Sequence, residues 1–364
     1  MKPYTHKGGG PKRILMIKGH SAGIGDILRS SAAWRALRNR FPKTELYLLL
    51  LTKDPGYVSE RFIARHHLLK GFFVVDKRTR GFRDWMKFLV KIREVVTAAT
   101  PDLVIDFEPH GLRTSLLSLW MRSKFGLKTI GIDEVPGRGL FYSLSSPSTK
   151  KFALERRLEY PLEYAFRDFV ALSALDIERN GIPIEIEETS EGRKFRSHFR
   201  EKFGIPEGTE ILGVNIGCGT PDAAWRRPDL TLLSRLIAGL QERYKFAVML
   251  TGAKFEEEFT RDFIALHKKV SPPGIIDFAE TDIFELTGFL KACRLFISSD
   301  SGPYHMAVAL RIPTIAVFNF ECKAAYHHHP WVRCKIMQTE DDVRGLEDEL
   351  EEFLKSTEFP AVLV

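Results

Sequence analysis

Ser298-Ser299-Asp300-Ser301-Gly302-Pro303-Tyr304-His305-Met306-Ala307-Val308-Ala309-Leu310 follows the apolar run Leu295-Phe296-Ile297 and opens a helical pattern at Pro303. A buried strand that turns sharply into a helix is one half of a βα unit, and repeated βα units build a parallel sheet with helices on its faces. Such a turn also suits an anion. Proline at the first helical position lacks an N–H that would be unpaired there. Ser301 adds a hydroxyl, and Gly302 lets a ligand approach free backbone amides. Asp300 and His305 flank the turn and can hold a diol or a second phosphate. The same residue types equally suit an ordinary helix cap leading into a core helix.

The same pattern recurs at the start of the chain. Arg13-Ile14-Leu15-Met16-Ile17-Lys18 reads as a strand, His20-Ser21-Ala22-Gly23-Ile24-Gly25-Asp26 as a loop with two glycines, residues 27–41 as a helix ended by Pro42, and residues 45–51 as the next strand. This is a strand–loop–helix–strand unit of the doubly wound type, and sheets of that type bind ligands beyond the carboxyl ends of their strands. Residues 72–76 and 103–107 are further buried strands around an amphipathic stretch at 82–99. A helix at 112–122 and a strand at 129–132 follow. Gly137-Arg138-Gly139 and residues 143–151 read as a long surface loop, with Lys150, Lys151, Arg156 and Arg157 as a basic cluster near the first sheet's open edge that reads first as a solvated charged face.

Residues 160–175 are again helix-like, and the periodicity is lost from Gly181-Ile182-Pro183 to Glu191. A second series then begins with a strand at 211–216 and the loop Gly217-Cys218-Gly219-Thr220-Pro221. It continues through a helix at 229–243, strands at 246–251 and 275–278, a helix capped by Thr281-Asp282, the opening stretch and a strand at 314–318. The acidic periodic segment 341–354 is a last helix. The domain boundaries read as a flexible basic tail at 1–12, one α/β domain at 13–180, a linker at 181–192, a second α/β domain at 193–340, and a helix and tail at 341–364.

A chain of 364 residues with 44% hydrophobic residues can bury two cores. No run approaches the roughly 20 apolar residues that a membrane helix needs. Residues 1–12 have no apolar run behind them, so a secretory signal is not expected there and the cytoplasm is the expected location. Four scattered cysteines do not make a disulfide framework. The formal net charge of +7 favours an acidic partner, whether nucleic acid, an anionic membrane surface or a phosphorylated substrate. No nucleic-acid-binding signature accompanies it, so nucleic acid is not expected.

Two blocks together resemble one family. Residues 14–26, continuing Ile27-Leu28-Arg29-Ser30-Ser31-Ala32-Ala33-Trp34-Arg35-Ala36-Leu37 with Phe41-Pro42 after it, are similar to the N-terminal signature of the heptosyltransferases, glycosyltransferase family 9. Asp300-Ser301-Gly302-Pro303-Tyr304-His305-Met306-Ala307, ending in Ile312-Pro313-Thr314, is similar to that family's C-terminal signature. The resemblance implies an α/β GT-B fold: two Rossmann-like domains facing across a cleft, acceptor on the N-terminal side and nucleotide-sugar on the C-terminal side. It implies an inverting, metal-independent transfer of heptose from ADP-heptose to the inner core of lipopolysaccharide, with no cofactor. Asp26 matches the family's catalytic aspartate, whereas by residue type alone it also suits a helix cap. Asp300, Ser301, Gly302 and His305 match the donor-binding motif, and Thr220 falls where the family places a hydroxyl donor to the diphosphate. Lys18, His20 and Ser21 are acceptor-side candidates, with ordinary loop solvation the other reading.

One departure stands out. The family commonly carries a lysine two residues before a tryptophan in the second loop, and this chain has Ala223 before Trp225. Arg226 or Arg227 can reach the donor phosphates instead, since guanidinium matches such oxygens. The departure leaves open two other readings: a GT-B enzyme with a different nucleotide-sugar, or a non-catalytic nucleotide- or glycan-binding member.

Inversion needs a base on one side of the anomeric carbon and a stabilised leaving group on the other. Asp26 and the helix start at Pro303 would supply these from different halves, brought together by domain closure. His327-His328-His329 between Cys322 and Cys334 offers zinc-type ligands, but adjacent histidines do not share a helix face and the spacing fits no standard zinc pattern, so no metal is expected. Residues 324–331 are expected instead to border the donor pocket. The acceptor is expected to be an acidic glycolipid, reached from the cytoplasmic leaflet by peripheral association through Lys and Arg.

Overall fold

The computed structural model describes residues 10–19, 23–217, 225–271 and 273–356. His20, Ser21, Thr220 and Ala223 lie outside the described residues. The chain divides between Ile184 and Glu185 into two units.

The first unit runs β1 (Arg13–Lys18), α1 (Ile24–Leu28), α2 (Ser31–Arg40), β2 (Glu45–Thr52), α3 (Val58–Ile63), β3 (Gly71–Asp76), α4 (Phe82–Ala99), β4 (Leu103–Asp106), α5 (Leu112–Phe125), β5 (Lys128–Ile132), β6 (Leu144–Ser146), α6 (Thr149–Glu155) and α7 (Arg167–Leu172). The second runs α8 (Ser190–Lys202), β7 (Ile211–Asn215), α9 (Leu230–Tyr244), β8 (Ala247–Gly252), α10 (Glu257–His267), β9 (Ile276–Glu280), α11 (Glu285–Ala292), β10 (Leu295–Ser298), α12 (Gly302–Ala309), β11 (Thr314–Phe318), β12 (Val332–Ile336) and α13 (Glu340–Ser356).

Each unit holds one six-stranded sheet, ordered β3-β2-β1-β4-β5-β6 and β12-β11-β10-β7-β8-β9. Every pairing is parallel. Helices cover parallel sheets on both faces, so their inner strands become continuous apolar runs. Glu45–Thr52 shows this: only its first residue is not buried. In both sheets the strand order reverses once, between β1 and β4 and between β7 and β10. The loops leaving those neighbouring strands diverge to opposite faces, which opens a crevice at their carboxyl ends.

The single helix expected over 27–41 is broken into α1 and α2. Ser31 Oγ donates to the Leu28 carbonyl at 2.7 Å, and a hydroxyl that bonds locally to backbone competes with helix continuation. The expected surface loop at 137–151 is corrected more strongly. Leu144–Ser146 is the sixth strand, paired Ile130↔Leu144 to Ile132↔Ser146 against β5. Ser148 caps α6 by accepting from the Lys151 amide at 3.3 Å. A three-residue strand with two serines has no apolar run to announce it. Residues 160–175 contain only α7, flanked by short 3-10 turns.

Helix α8 begins inside the segment read as linker. Thr189 Oγ1 accepts from the Gly192 amide at 2.9 Å and donates to the Phe284 carbonyl at 2.8 Å, so the cap is also a tie to α11. The two helices cross at a pair of glycines, and a Cβ on Gly288 would sit 1.8 Å from the Gly192 carbonyl oxygen. Helix α13 closes the second unit, placing Val343, Leu346, Leu350 and Phe353 in one core with α9 and the sheet.

Gly288→Ala should force α8 off α11, and overpacking of this kind costs about 1–3 kcal/mol. Urea unfolding followed by far-UV circular dichroism should show a lower midpoint, and an unchanged midpoint would mean the crossing is not tight.

Candidate active site

The crevice of the second sheet is built by the ends of β7 and β10. Asn215, the last residue of β7, donates through Nδ2 to the Thr251 carbonyl at 3.1 Å, which leaves Oδ1 to accept from Ser301 Oγ at 3.1 Å. Ser301 Oγ also lies 3.0 Å from Ser298 Oγ. Ser301 occupies the cap position of α12 in extended backbone but turns its hydroxyl into this chain, so the amides at the helix start carry no side-chain cap. Gly302 is the first helical residue and Pro303 the second, one place later than the sequence suggested. Ser299 Oγ donates to the Gly217 carbonyl at 2.8 Å. Beside Gly217 stands the Glu256 carboxylate, which accepts from the Ala253 amide at 3.1 Å. A Cβ on Gly217 would fall 2.0 Å from Glu256 Oε1.

Above this floor Asp300, His305 and Arg226 converge. Asp300 is buried; its Oδ2 lies 3.5 Å from Arg226 Nη1 and its Oδ1 lies 3.7 Å from His305 Nε2. Arg226 extends across Trp225, its guanidinium carbon 5.2 Å from the ring centre, and Trp225 packs on Phe320 at 4.9 Å. Arg226 Nε is buried without a hydrogen-bond partner among the described residues. Arg227 points elsewhere, over the Phe259 ring at 4.1 Å. The two arginines offered by the sequence thus diverge, and only Arg226 reaches the motif of α12.

The histidine run separates as well. His327 is buried with Nε2 2.9 Å from His305 Nδ1, and its amide donates to Tyr304 OH at 3.1 Å. His329 stacks on Trp331 at 4.6 Å, and His328 is exposed. Cys334 Sγ lies 3.2 Å from Tyr304 OH. Among the described residues no three His, Cys, Asp or Glu side chains converge as metal ligands.

In the first unit Gly23 takes the cap position of α1, and Asp26 lies in the first turn with its side chain about 31% exposed. The cap reading of Asp26 therefore fails. Its Oδ1 accepts from Arg29 Nη1 at 3.1 Å, and the Arg29 guanidinium rests 4.3 Å from the Tyr164 ring centre. Lys18, at the end of β1, is buried and donates to both oxygens of Asp168 on α7, at 2.9 and 3.2 Å. Its charge is committed to holding α7 on the sheet.

A second buried network escaped the sequence reading. Arg138, assigned to a surface loop, is buried at the carboxyl end of β4. Its Nε donates to Ser115 Oγ at 2.6 Å and its Nη2 to the Glu108 carbonyl at 2.5 Å, with Asp106 Oδ2 at 3.4 Å. Tyr142 OH donates to Asp106 Oδ2 at 2.7 Å. Burial pushes the Asp106 carboxyl up to about 6, although hydrogen bonds from Thr114, Tyr142 and the Glu108 amide and the Arg138 charge all pull it down. Nothing in the spacing of Asp106, Arg138 and Tyr142 pairs them; only the β4–β5–β6 ladder does. Asn215 was missed for a like reason, since its partners Thr251 and Ser301 are distant in sequence.

Because the folded Asp106 binds its proton more tightly than an unfolded aspartate, its contribution to stability is full below about pH 4 and is lost as pH rises through about 6. Asp106→Asn should flatten that part of the pH dependence of the urea midpoint; an unaltered profile would reassign it. Arg138→Ala leaves a buried carboxylate without its cation and should cost about 3–5 kcal/mol at neutral pH in the same measurement.

Residues 233–331 match the model of glycosyltransferase family 9 (heptosyltransferase), a span that runs from α9 through the Asp300–His305 motif to Trp331. The chain is similar to lipopolysaccharide heptosyltransferase 1 of Campylobacter coli, 21% identical over 302 residues covering 81% of each chain. Among solved structures, a family 9 glycosyl transferase from Veillonella parvula superposes with a TM-score of 0.69 at 17% identity, covering 95% of this chain and 98% of that one. ADP-heptose lipopolysaccharide heptosyltransferase II of E. coli gives 0.64 at 15% identity, covering 95% and 100%. The two parallel sheets are those of the GT-B fold. Over residues 233–331 the chain therefore carries a match to glycosyltransferase family 9, the heptosyltransferases, and these similarities support a glycosyltransferase.

Proposed function

We propose that this protein transfers a heptose or closely related sugar, with inversion, from an ADP-sugar to the inner core of lipopolysaccharide or a related glycan. The observation that carries the reading is the cluster at the start of α12. Buried Asp300, flanked by His305 and by Arg226, whose Nε has no partner among the described residues, offers both a diol acceptor and a cation where no side chain caps the helix amides. A sugar diphosphate needs that combination, since the dipole and free N–H groups favour the charge that grows on its leaving oxygen. The donor is read as ADP-heptose because the similar E. coli enzyme is named for it and the similar Campylobacter coli enzyme is named a lipopolysaccharide heptosyltransferase.

In the proposed reaction the acceptor hydroxyl oxygen attacks the anomeric carbon as its bond to the diphosphate breaks. Asp26 takes the hydroxyl proton, and the nucleoside diphosphate departs as an anion balanced by Arg226 and the α12 amides. Arg226 takes the phosphate role that the family gives to the lysine replaced here by Ala223. No metal and no cofactor enters these steps. Among the described residues no helix is long and apolar enough to cross a membrane, and the proposed location is the cytoplasmic side of the inner membrane, held peripherally to reach an acidic glycolipid.

The test is ADP release from ADP-heptose on addition of a deacylated inner-core acceptor. Asp26→Asn should lower kcat by about 10²–10⁴-fold while calorimetric binding of ADP stays as in the parent; full turnover in this variant would remove Asp26 as the base. Arg226→Ala should weaken ADP binding about 10–100-fold, the worth of a charged hydrogen bond or two, with Arg227→Ala nearly silent. Tighter binding of UDP or GDP than of ADP would replace the donor, and ADP binding without transfer to any acceptor would favour a non-catalytic member.

A further inference from the structure

Helix α4 has an apolar face that folding does not use. Its inner side buries Phe88, Ile92, Val95, Val96 and Ala99 against the first sheet, as an amphipathic helix should. On its outer side Phe82, Met86 and Val90 are 78%, 45% and 53% exposed. Single exposed apolar residues are ordinary, but these three are spaced four apart and so form one line along the first turns of the helix. A second line runs beside it, one residue on: Arg83, Lys87 and Lys91, all exposed. Lys91 helps to lower the pKa of Asp76, and exposed Glu94 stands on the same side of the helix, so the rail keeps a surplus of cations rather than a single sign. An apolar ridge bordered by a cationic rail is what a helix lying in the plane of an anionic bilayer presents, with apolar side chains among the acyl chains and cations among the phosphates.

We propose that the outer face of α4 is the surface by which this protein docks on an anionic phospholipid bilayer. The topology places the ridge usefully. In a parallel sheet the loops after β1 and β3 leave by the same edge, and Lys77 Nζ, between β3 and α4, donates to the carbonyl of Gly19 at the end of β1. The exposed line occupies the N-terminal half of α4, the half next to that edge, and the loop that leads to Asp26 leaves from it. A glycolipid acceptor anchored in the same bilayer would then present its sugar where the proposed base stands. This deepens the reading of a membrane-borne acceptor. Vesicle binding requires neither donor nor turnover, so it stands or fails separately from the transfer reaction.

The experiment uses the full chain with vesicles of phosphatidylcholine alone or mixed with phosphatidylglycerol, separated by sedimentation at low and high salt. The protein should partition onto the anionic vesicles, less so in high salt. Phe82→Ser with Val90→Ser should reduce that partition by at least about tenfold, in line with the loss of two inserted apolar groups. Arg83→Gln with Lys87→Gln and Lys91→Gln should abolish the preference for phosphatidylglycerol. Both variants should keep the parental circular dichroism spectrum and full ADP release with the deacylated acceptor, which separates lost docking from lost folding. Absence of the parent from anionic vesicles, or parental binding by the variants, overturns the proposal. A change from dimer to monomer on Phe82→Ser/Val90→Ser, with vesicle binding intact, assigns the ridge to a second copy of the chain and overturns it too.

Discussion

The constraint beneath both units is that a parallel strand must return to the same edge of its sheet through a helix. Where the winding direction reverses, two neighbouring strands send their helices to opposite faces and their carboxyl ends are left without a covering element. In this chain the reversal falls at β1 and β4 in one unit and at β7 and β10 in the other. Asp26 follows the first of these strands, Asp106 and Arg138 gather at the second, and Asn215, Ser298 and Asp300 stand at the last two. The polar residues that interrupt otherwise apolar cores therefore cluster at the two places where the fold cannot cover its own backbone.

The two crevices solve the burial of polar groups differently. In the second unit a chain of neutral partners, Thr251 carbonyl, Asn215, Ser301 and Ser298, holds the turn, and the charged side chains sit above it. In the first unit the charges lie underneath: Asp106 with Arg138, and Lys18 with Asp168, are both buried pairs. Such pairs add little net stability but are costly to break, so they favour one arrangement of the loops over its alternatives. The turn at 138–141 and helix α7 are fastened by these pairs rather than by apolar contact alone.

Much of this architecture was legible because apolar runs of strand length and period-3.6 stretches are local signals. The strands at 13–18 and 45–52 and the helix at 82–99 announce themselves that way. What stayed hidden depended on partners distant in sequence. Leu144–Ser146 is a strand only because β5 offers it a ladder, and Ser31 breaks a helix because its hydroxyl finds the Leu28 carbonyl. At the candidate site, the positions of Asp26 and the Asp300–His305 motif at strand ends followed from strand–loop–helix order. The separation of Arg226 from Arg227, and the contact of His305 with His327, needed coordinates: adjacent residues carry no information about which of them turns inward.

Gly217 has a consequence that reaches beyond its own turn. Its missing side chain is occupied volume, filled by the Glu256 carboxylate that also receives the Ala253 amide. A methyl group there would make the Glu256 carboxylate shift, and that carboxylate links the start of α10 to the end of β8. Glycine in this loop thus serves as a lodging for a neighbour's charge, and the tolerance of position 217 to substitution is set by a residue 39 places downstream.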